Sequence, residues 1–389
     1  MRGGLLALWL AASPAWAQPA PVLVGAVVSE SGQLADLAGD MRKALILWQE
    51  KINTEGGLLG RPVELRLLDD RSEASTALGL YARLVERDRV DLLIGPFGSA
   101  ASAAAAATAE RARRVLVNAS GVTRGAQRTD RQYVFQVPAP LAAYGAGALD
   151  VARAAGHSRL QVVARNEPGA REAAARLAED ASALGLDAAV QTMSAGASDY
   201  AALIAAARAR GAEAWIAFGR AEDAAEIVKA FKRARYAPAM LVAQGAAEPD
   251  FVRRVGQDAE FTLGISAYAP DFATRGNAEF VARWRERWSG APGPAAANAY
   301  AAALVLEQGV RAAGSLEQER LRAALAALET ETPIGRYRVD KGGVQLEARP
   351  ALLQILRGRA EIVWPAELAT AQLRLPYPRW DERQAHAAQ

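Results

Sequence analysis

The 389-residue sequence contains no cysteine and only two histidines. Without cysteine there are no disulfides, no thiolate metal sites and no lipid-modified N-terminal cysteine. His157 lies in "AAGHSRL", a helix-to-strand connection, and His386 lies near the C-terminal end. Neither suits a Ser-His-Asp triad, and no G-x-S-x-G occurs. With no histidine pair, zinc and other transition metals lack their usual ligands, so no metal site is expected. Phosphate-cradling glycine motifs are also missing, so no nucleotide or other cofactor is expected. Long runs of one charge are absent, and the net charge is only +3. "RARR" (Arg111 to Arg114) falls at an expected helix end, where cations suit the dipole. No aromatics interleave with the arginines, so nucleic acid is not an expected partner. Beyond the N-terminus, no apolar stretch reaches the length of a membrane span.

What is present is a globular composition, 51% hydrophobic and 23% charged. The N-terminus reads as an address. Arg2 supplies a positive start, "LLALWLAA" (Leu5 to Ala12) a short apolar core, and "AWA" (Ala15 to Ala17) a small-x-small cleavage pattern. Together they predict a secretory signal removed before Gln18 and a periplasmic location.

From Val22 onward, short β-rich runs alternate with amphipathic stretches. "VLVGAVV" reads as a strand, and "DLAGDMRKALILWQEKIN" as a helix with Met41, Leu45, Trp48 and Ile52 on one face. "VELRLLDD", "VDLLIG", "RVLVNAS" and "YVFQV" follow as strands, with helices between the first three. After Pro138 and Pro140 the same grammar restarts, with strands "LQVVA", "AAVQTMS", "AWIAF" and "AMLVA". The fold class is therefore α/β, as two doubly wound lobes with a cleft between them. Ligands of such sheets sit beyond the carboxyl ends of the strands, so the loops there should carry function. Asp69 and Asp70, at one such strand end, read as helix caps.

One of these loops is distinctive. "IGPFGS" ends a buried strand and an alanine-rich helix follows. Ser99 suits an N-cap, and alanine is the best helix former. The first-turn N–H groups have no intrahelical partner, and the dipole is positive there, so the turn can hold a carboxylate or phosphate. Spacing leaves two readings open: Ser99 caps its own helix, or it touches a ligand.

These stretches resemble the branched-chain amino acid binding family of bacterial ABC importers, which are type I periplasmic binding proteins. The resemblance runs in order through "VGAVVSESGQLADLAGDMRKALILWQEKINTEGGLLGRPVELRLLDD", "VDLLIGPFGSAAS", "VLVNASGVTRG" and "AWIAFGRAEDAAEIVKAFKRARYAPAMLVAQGAAEPDFV". It implies two lobes joined by three crossovers: residues 18–138 plus 268–331, and 139–267 plus 332–365, with 366–389 as a surface tail. It also implies hinge closure on a small ligand, an ABC permease as partner, a monomer, and no enzymatic activity. The ligand carboxylate would be held by Phe97, Gly98 and Ser99, and by Ser120, Gly121, Val122 and Thr123. From the second lobe, Glu167, Pro168, Arg220 and Gln244 would face it. The family's acidic residue for an ammonium falls on Gln244, and Glu248 lies four residues on. Gln244 and Arg220 therefore point to an organic or aromatic acid without a free amine. An amino-acid or amide binder, or a ligand sensor of the same fold, is the alternative; a secreted hydrolase lacks a base.

Overall fold

The computed structural model describes residues 19–126, 128–194, 200–248 and 250–383. The expected signal segment lies outside them. The first sheet contains β1 (Val22–Val28), β2 (Val63–Asp69), β3 (Leu92–Ile94), β4 (Leu116–Asn118) and β5 (Val134–Gln136), in the order β2-β1-β3-β4-β5. Every pairing in it is parallel. The second sheet contains β6 (Arg159–Arg165), β7 (Asp187–Met193), β8 (Ala214–Phe218), β9 (Met240–Ala243) and β10 (Leu263–Ser266). A two-stranded piece, β11 (Thr330–Thr332) with β12 (Gly335–Tyr337), precedes β13 (Ala351–Leu356) and β14 (Arg359–Trp364), which complete the second sheet in the order β14-β13-β10-β9-β8-β6-β7. β13 runs antiparallel to β10 and β14, so this sheet is mixed.

The helices are α1 (Ala35–Ala38), α2 (Asp40–Thr54), α3 (Ala74–Glu86), α4 (Ser99–Ala112), α5 (Ala146–Ala154), α6 (Pro168–Ala183), α7 (Ala201–Ala209), α8 (Ala221–Ala234), α9 (Asp250–Val255), α10 (Asn277–Arg287), α11 (Pro294–Ala313) and α12 (Gln318–Ala326). They cover both faces of each sheet, as strand alternation requires. Along β1, Val22, Val24, Ala26 and Val28 enter one core while Val27 enters another. Along β8, Trp215 and Ala217 point one way and Ala214, Ile216 and Phe218 the other. The alanines of α4 have a packing role. Ala101, Ala105, Ala106 and Ala109 share a core with Ala77, Tyr81 and Leu84 of α3, and small side chains let the two helices lie close.

The chain crosses between the sheets after β5, after β10 and before β13. Two expected assignments change. Residues 339–347, expected in the second lobe, lie along the first sheet: Gln136 N–H donates to Gly343 O at 2.8 Å and Gln345 Nε2 to Val137 O at 3.0 Å. The open edge of β5 needs that pairing. The described part of the expected surface tail is packed. Tyr377 N–H donates to Ala239 O at 2.7 Å, Trp380 Nε1 to Tyr236 O at 2.8 Å, and the Arg383 guanidinium stacks on both rings. Prolines and scattered aromatics hide such a segment from any periodicity test.

Candidate functional site

The strand ends place the predicted residues in two sets, one on each lobe. In the first lobe, β3 ends at Ile94 and α4 begins at Ser99. The N-cap is Gly98, at φ 83° and ψ 146°, rather than Ser99 as the sequence suggested. That backbone region is open almost only to glycine, so the sharp exit from β3 reserves the cap position for Gly98 and moves the serine into the first turn. Gly98 has no side chain, so no side-chain cap hydrogen bond closes this turn. The first helical bond runs from Ser102 N–H to Gly98 O at 3.0 Å. The N–H groups of Ser99, Ala100 and Ala101 precede it and have no carbonyl to meet within the helix. Phe97 is half-buried and packs on the first core.

The next loop is bound to this one. The Ser120 hydroxyl accepts the Gly98 N–H at 3.1 Å. The Ser120 carbonyl accepts Gln136 Nε2 at 3.0 Å, and Gln136 Oε1 accepts Asn118 Nδ2 at 3.0 Å. Asn118 and Gln136 are buried neighbours at the ends of β4 and β5, so this network fixes the loop from below. Gly121, at φ 75°, lies so close to α4 that a Cβ on it would come within 2.3 Å of Ser102 Cβ. Val122 reaches the second-lobe core, and Arg124 N–H donates to Glu172 of α6 at 3.0 Å. The Thr123 side chain comes within 3.8 Å of a Cβ placed on Gly169, beside Pro168. Val122 and Thr123 therefore stand where the lobes meet.

The second-lobe set is charged. Arg165, at the end of β6, donates from Nε to Glu167 at 2.8 Å and from Nη1 to Glu222 and Asp223, each at 2.8 Å. Its side chain is 10% exposed and that of Asp223 only 1%. Burial opposes the charge on Arg165, but its hydrogen bonds to Asp223, Glu222 and Glu167 outweigh that and push its pKa up. Asp223 also accepts the Arg220 N–H at 3.0 Å. The Arg220 guanidinium lies 3.4 Å from Glu167. It is therefore paired, with its side chain still 47% exposed, at the position where the sequence suggested a cation favouring an anionic ligand. Glu30, another acid near the cleft, is held by Arg42 at 2.6 Å.

Gln244 begins a 3-10 turn directly after β9, and the adjoining Gly245 backs onto the Arg220 main chain. Glu248 ends the same turn. Burial pushes its pKa up, reinforced by the nearby carboxylates of Glu222 and Asp223 and opposed by the hydrogen bond from the Ala221 N–H and the charge of Arg220. The Arg165 hub was not legible as one unit. Its sole signal was that Arg165 ends β6 and the Glu222-Asp223 pair opens the helix after β8, two strands that a doubly wound sheet could place side by side. Asp69 and Asp70 do not cap α3, whose N-cap is Glu73 with no side-chain cap bond. A separate 570 Å³ concavity, lined by Glu260, Phe261, Arg357 and Arg374 among others, lies at the opposite end of the second sheet and contains no predicted site residue.

A family model described as periplasmic binding protein matches residues 21–359. Solved structures share the fold. A putative branched-chain amino acid ABC transporter protein from Silicibacter pomeroyi aligns at 18% identity and TM-score 0.83, over 92% of this chain and 99% of that one. A leucine binding protein from Thermotoga maritima aligns at 21% identity and TM-score 0.75, over 88% and 97%. A solute binding protein from R. palustris in complex with benzoate aligns at 19% identity and TM-score 0.71, over 92% and 97%.

Proposed function

The chain belongs to the periplasmic binding protein family, with the type I fold of its branched-chain amino acid binding members, and on that premise we propose that it captures a small carboxylate-bearing solute between its lobes. Hinge closure then presents the loaded protein to an ABC permease in the periplasm. The observation that carries this reading is the first turn of α4. Its N–H groups are unpaired, the dipole is positive there, and the Ser99 and Ser120 hydroxyls lie beside it. The Asn118–Gln136–Ser120 network holds these donors in place before a ligand arrives, which lowers the ordering cost of binding. The role proposed is capture and not turnover.

The other end of the ligand depends on the second lobe. Gln244, an amide, supports an organic or aromatic acid without a free amine, and one solved relative holds benzoate. A second reading, an amino acid, is favoured by a specific observation. Around Glu248, the carboxylates of Glu167, Glu222, Asp223 and Glu248 outnumber the guanidinium groups of Arg165 and Arg220. Calorimetry with leucine and with 4-methylpentanoate, the same skeleton lacking the amine, separates the two. Tighter binding of 4-methylpentanoate supports the organic acid; tighter binding of leucine supports the amino acid. Failure of every carboxylate in a thermal-shift panel would overturn both.

A further inference from the structure

A second network lies on the first lobe, at the ends of β1 and β2, outside the residues assigned to the ligand. Asp69 Oδ1 accepts the N–H groups of Glu30 (3.0 Å), Ser31 (3.3 Å) and Arg71 (2.9 Å), while its Oδ2 accepts the Ser31 hydroxyl at 2.6 Å. The Ser72 hydroxyl donates to Ser31 O at 2.6 Å and accepts the Leu34 N–H at 3.0 Å. Asp70 Oδ1 accepts the Ser72 N–H at 2.8 Å. Two loops are thus stitched side to side by side chains.

The stitching holds an unfavourable backbone. Arg71 and Ser72 are consecutive non-glycine residues at φ 55° and 65°. Beneath them, Ser29 Oγ and Asp70 Oδ2 are buried without hydrogen-bond partners. Strain and unsatisfied polar atoms persist only where surrounding contacts enforce them, and they concentrate at functional sites. The direction of the stitched loop suggests the purpose. Leu34 Cδ1 stands 3.8 Å from where a Cβ on Gly98 would be, against the turn that opens α4.

We propose that Asp69 and Ser72 are positioning residues: they clamp the loop after β1 so that Leu34 braces the Gly98 turn and keeps the α4 donors aimed at the cleft. Ser120 holds that turn from one side through the Gly98 N–H, and Leu34 Cδ1 lies beside the open Cβ position of Gly98. As a contribution to affinity, the inference rests on the carboxylate reading. As a contribution to the geometry of the turn, it does not.

The test uses the full chain with Asp69→Ala, Asp69→Asn, Ser72→Ala and Leu34→Ala. Amide exchange without ligand is read first. Asp69→Ala and Ser72→Ala should speed exchange at Glu30, Ser31 and Leu34, and also at Gly98 and Ser102, by about tenfold, with β8 and α8 unchanged. Asp69→Asn, which keeps one acceptor oxygen, should restore part of the protection. Leu34→Ala should release Gly98 and Ser102 while Glu30 and Ser31 stay protected. Titration with benzoate and leucine is read second, and whichever binds the parent protein should lose about tenfold in affinity in Asp69→Ala. Unchanged protection at Gly98 and Ser102 in Leu34→Ala would overturn the proposal. If neither probe binds the parent, the carboxylate reading loses support, and exchange at Gly98 and Ser102 still decides the clamp. If Asp69→Ala does not fold, Ser72→Ala and Leu34→Ala carry the same comparison.

Discussion

The two faces of the cleft are built from different materials. The first-lobe face is mostly main chain: free N–H groups at the start of α4, a glycine cap and two serine hydroxyls, supported by amide side chains. The second-lobe face is a charge cluster centred on Arg165, with Glu167, Glu222 and Asp223 as its partners. Dipoles set by the backbone can hold an anion at little reorganisation cost. Interlocked ions have their geometry and stability tied together, because removing one leaves the others uncompensated. On the proposed reading, the first face would hold a feature common to many ligands and the second would discriminate among them.

The sharpest way to break this contrast is at Arg165. Arg165→Ala strands the buried Asp223 and should cost about 3 kcal/mol of stability in a denaturant titration. Arg165→Lys keeps the charge but loses the fork, and should recover part of that loss. A cost below about 1 kcal/mol would mean that the cluster is solvent-screened like a surface pair.

On the first face the largest effect should come from Gly98→Ala. At φ 83° and ψ 146° a Cβ is strained, so about 2 kcal/mol of stability should be lost together with ligand affinity. Ser99→Ala should behave differently from a lost cap. Melting temperature should hold nearly steady while binding weakens by about 1 kcal/mol, because Gly98 and not Ser99 is the N-cap residue. A fall in stability with unchanged binding would return Ser99 to a purely structural role.

The smallest effect concerns pH. Burial raises the Glu248 pKa above its ordinary value of 4.5, so the folded state holds that proton more tightly than the unfolded chain. The resulting stability is fully present below the ordinary value and is lost as pH rises through the raised one. Glu248→Gln removes that loss. Its melting temperature relative to the parent should therefore climb as pH rises from acid toward neutral, and a constant difference would show Glu248 to be solvated. In calorimetry, Glu248→Gln should also weaken leucine if an ammonium rests there, and leave 4-methylpentanoate unchanged.

Much of the architecture was legible before any coordinates. The strand Val22–Val28 and the strand Ala214–Phe218 lie where their apolar runs predict. The long predicted helix from Asp36 divides at Gly39 into α1 and α2, as glycine permits. β10 and β14 escaped notice because neither carries a distinct period-2 pattern. At the candidate site, Ser99 and Ser120 lie on neighbouring loops as the strand order predicts, but the N-cap is Gly98 and not Ser99. Capping propensity is an average over helix starts, and here the exit angle of β3 overrides it.

Local sequence was enough to determine the alternation of strands and helices and the absence of cysteine from any chemistry. These properties follow from side-chain period and residue inventory, which need no knowledge of distant neighbours. Tertiary structure alone decided which charges meet. Arg165 and Asp223 are 58 positions apart, and Asp69 and Ser31 are 38 apart. Whether a carboxylate becomes a ligand contact, half of an ion pair or a clamp on a loop depends on which strand lies next to its own. That order is set when the sheet assembles.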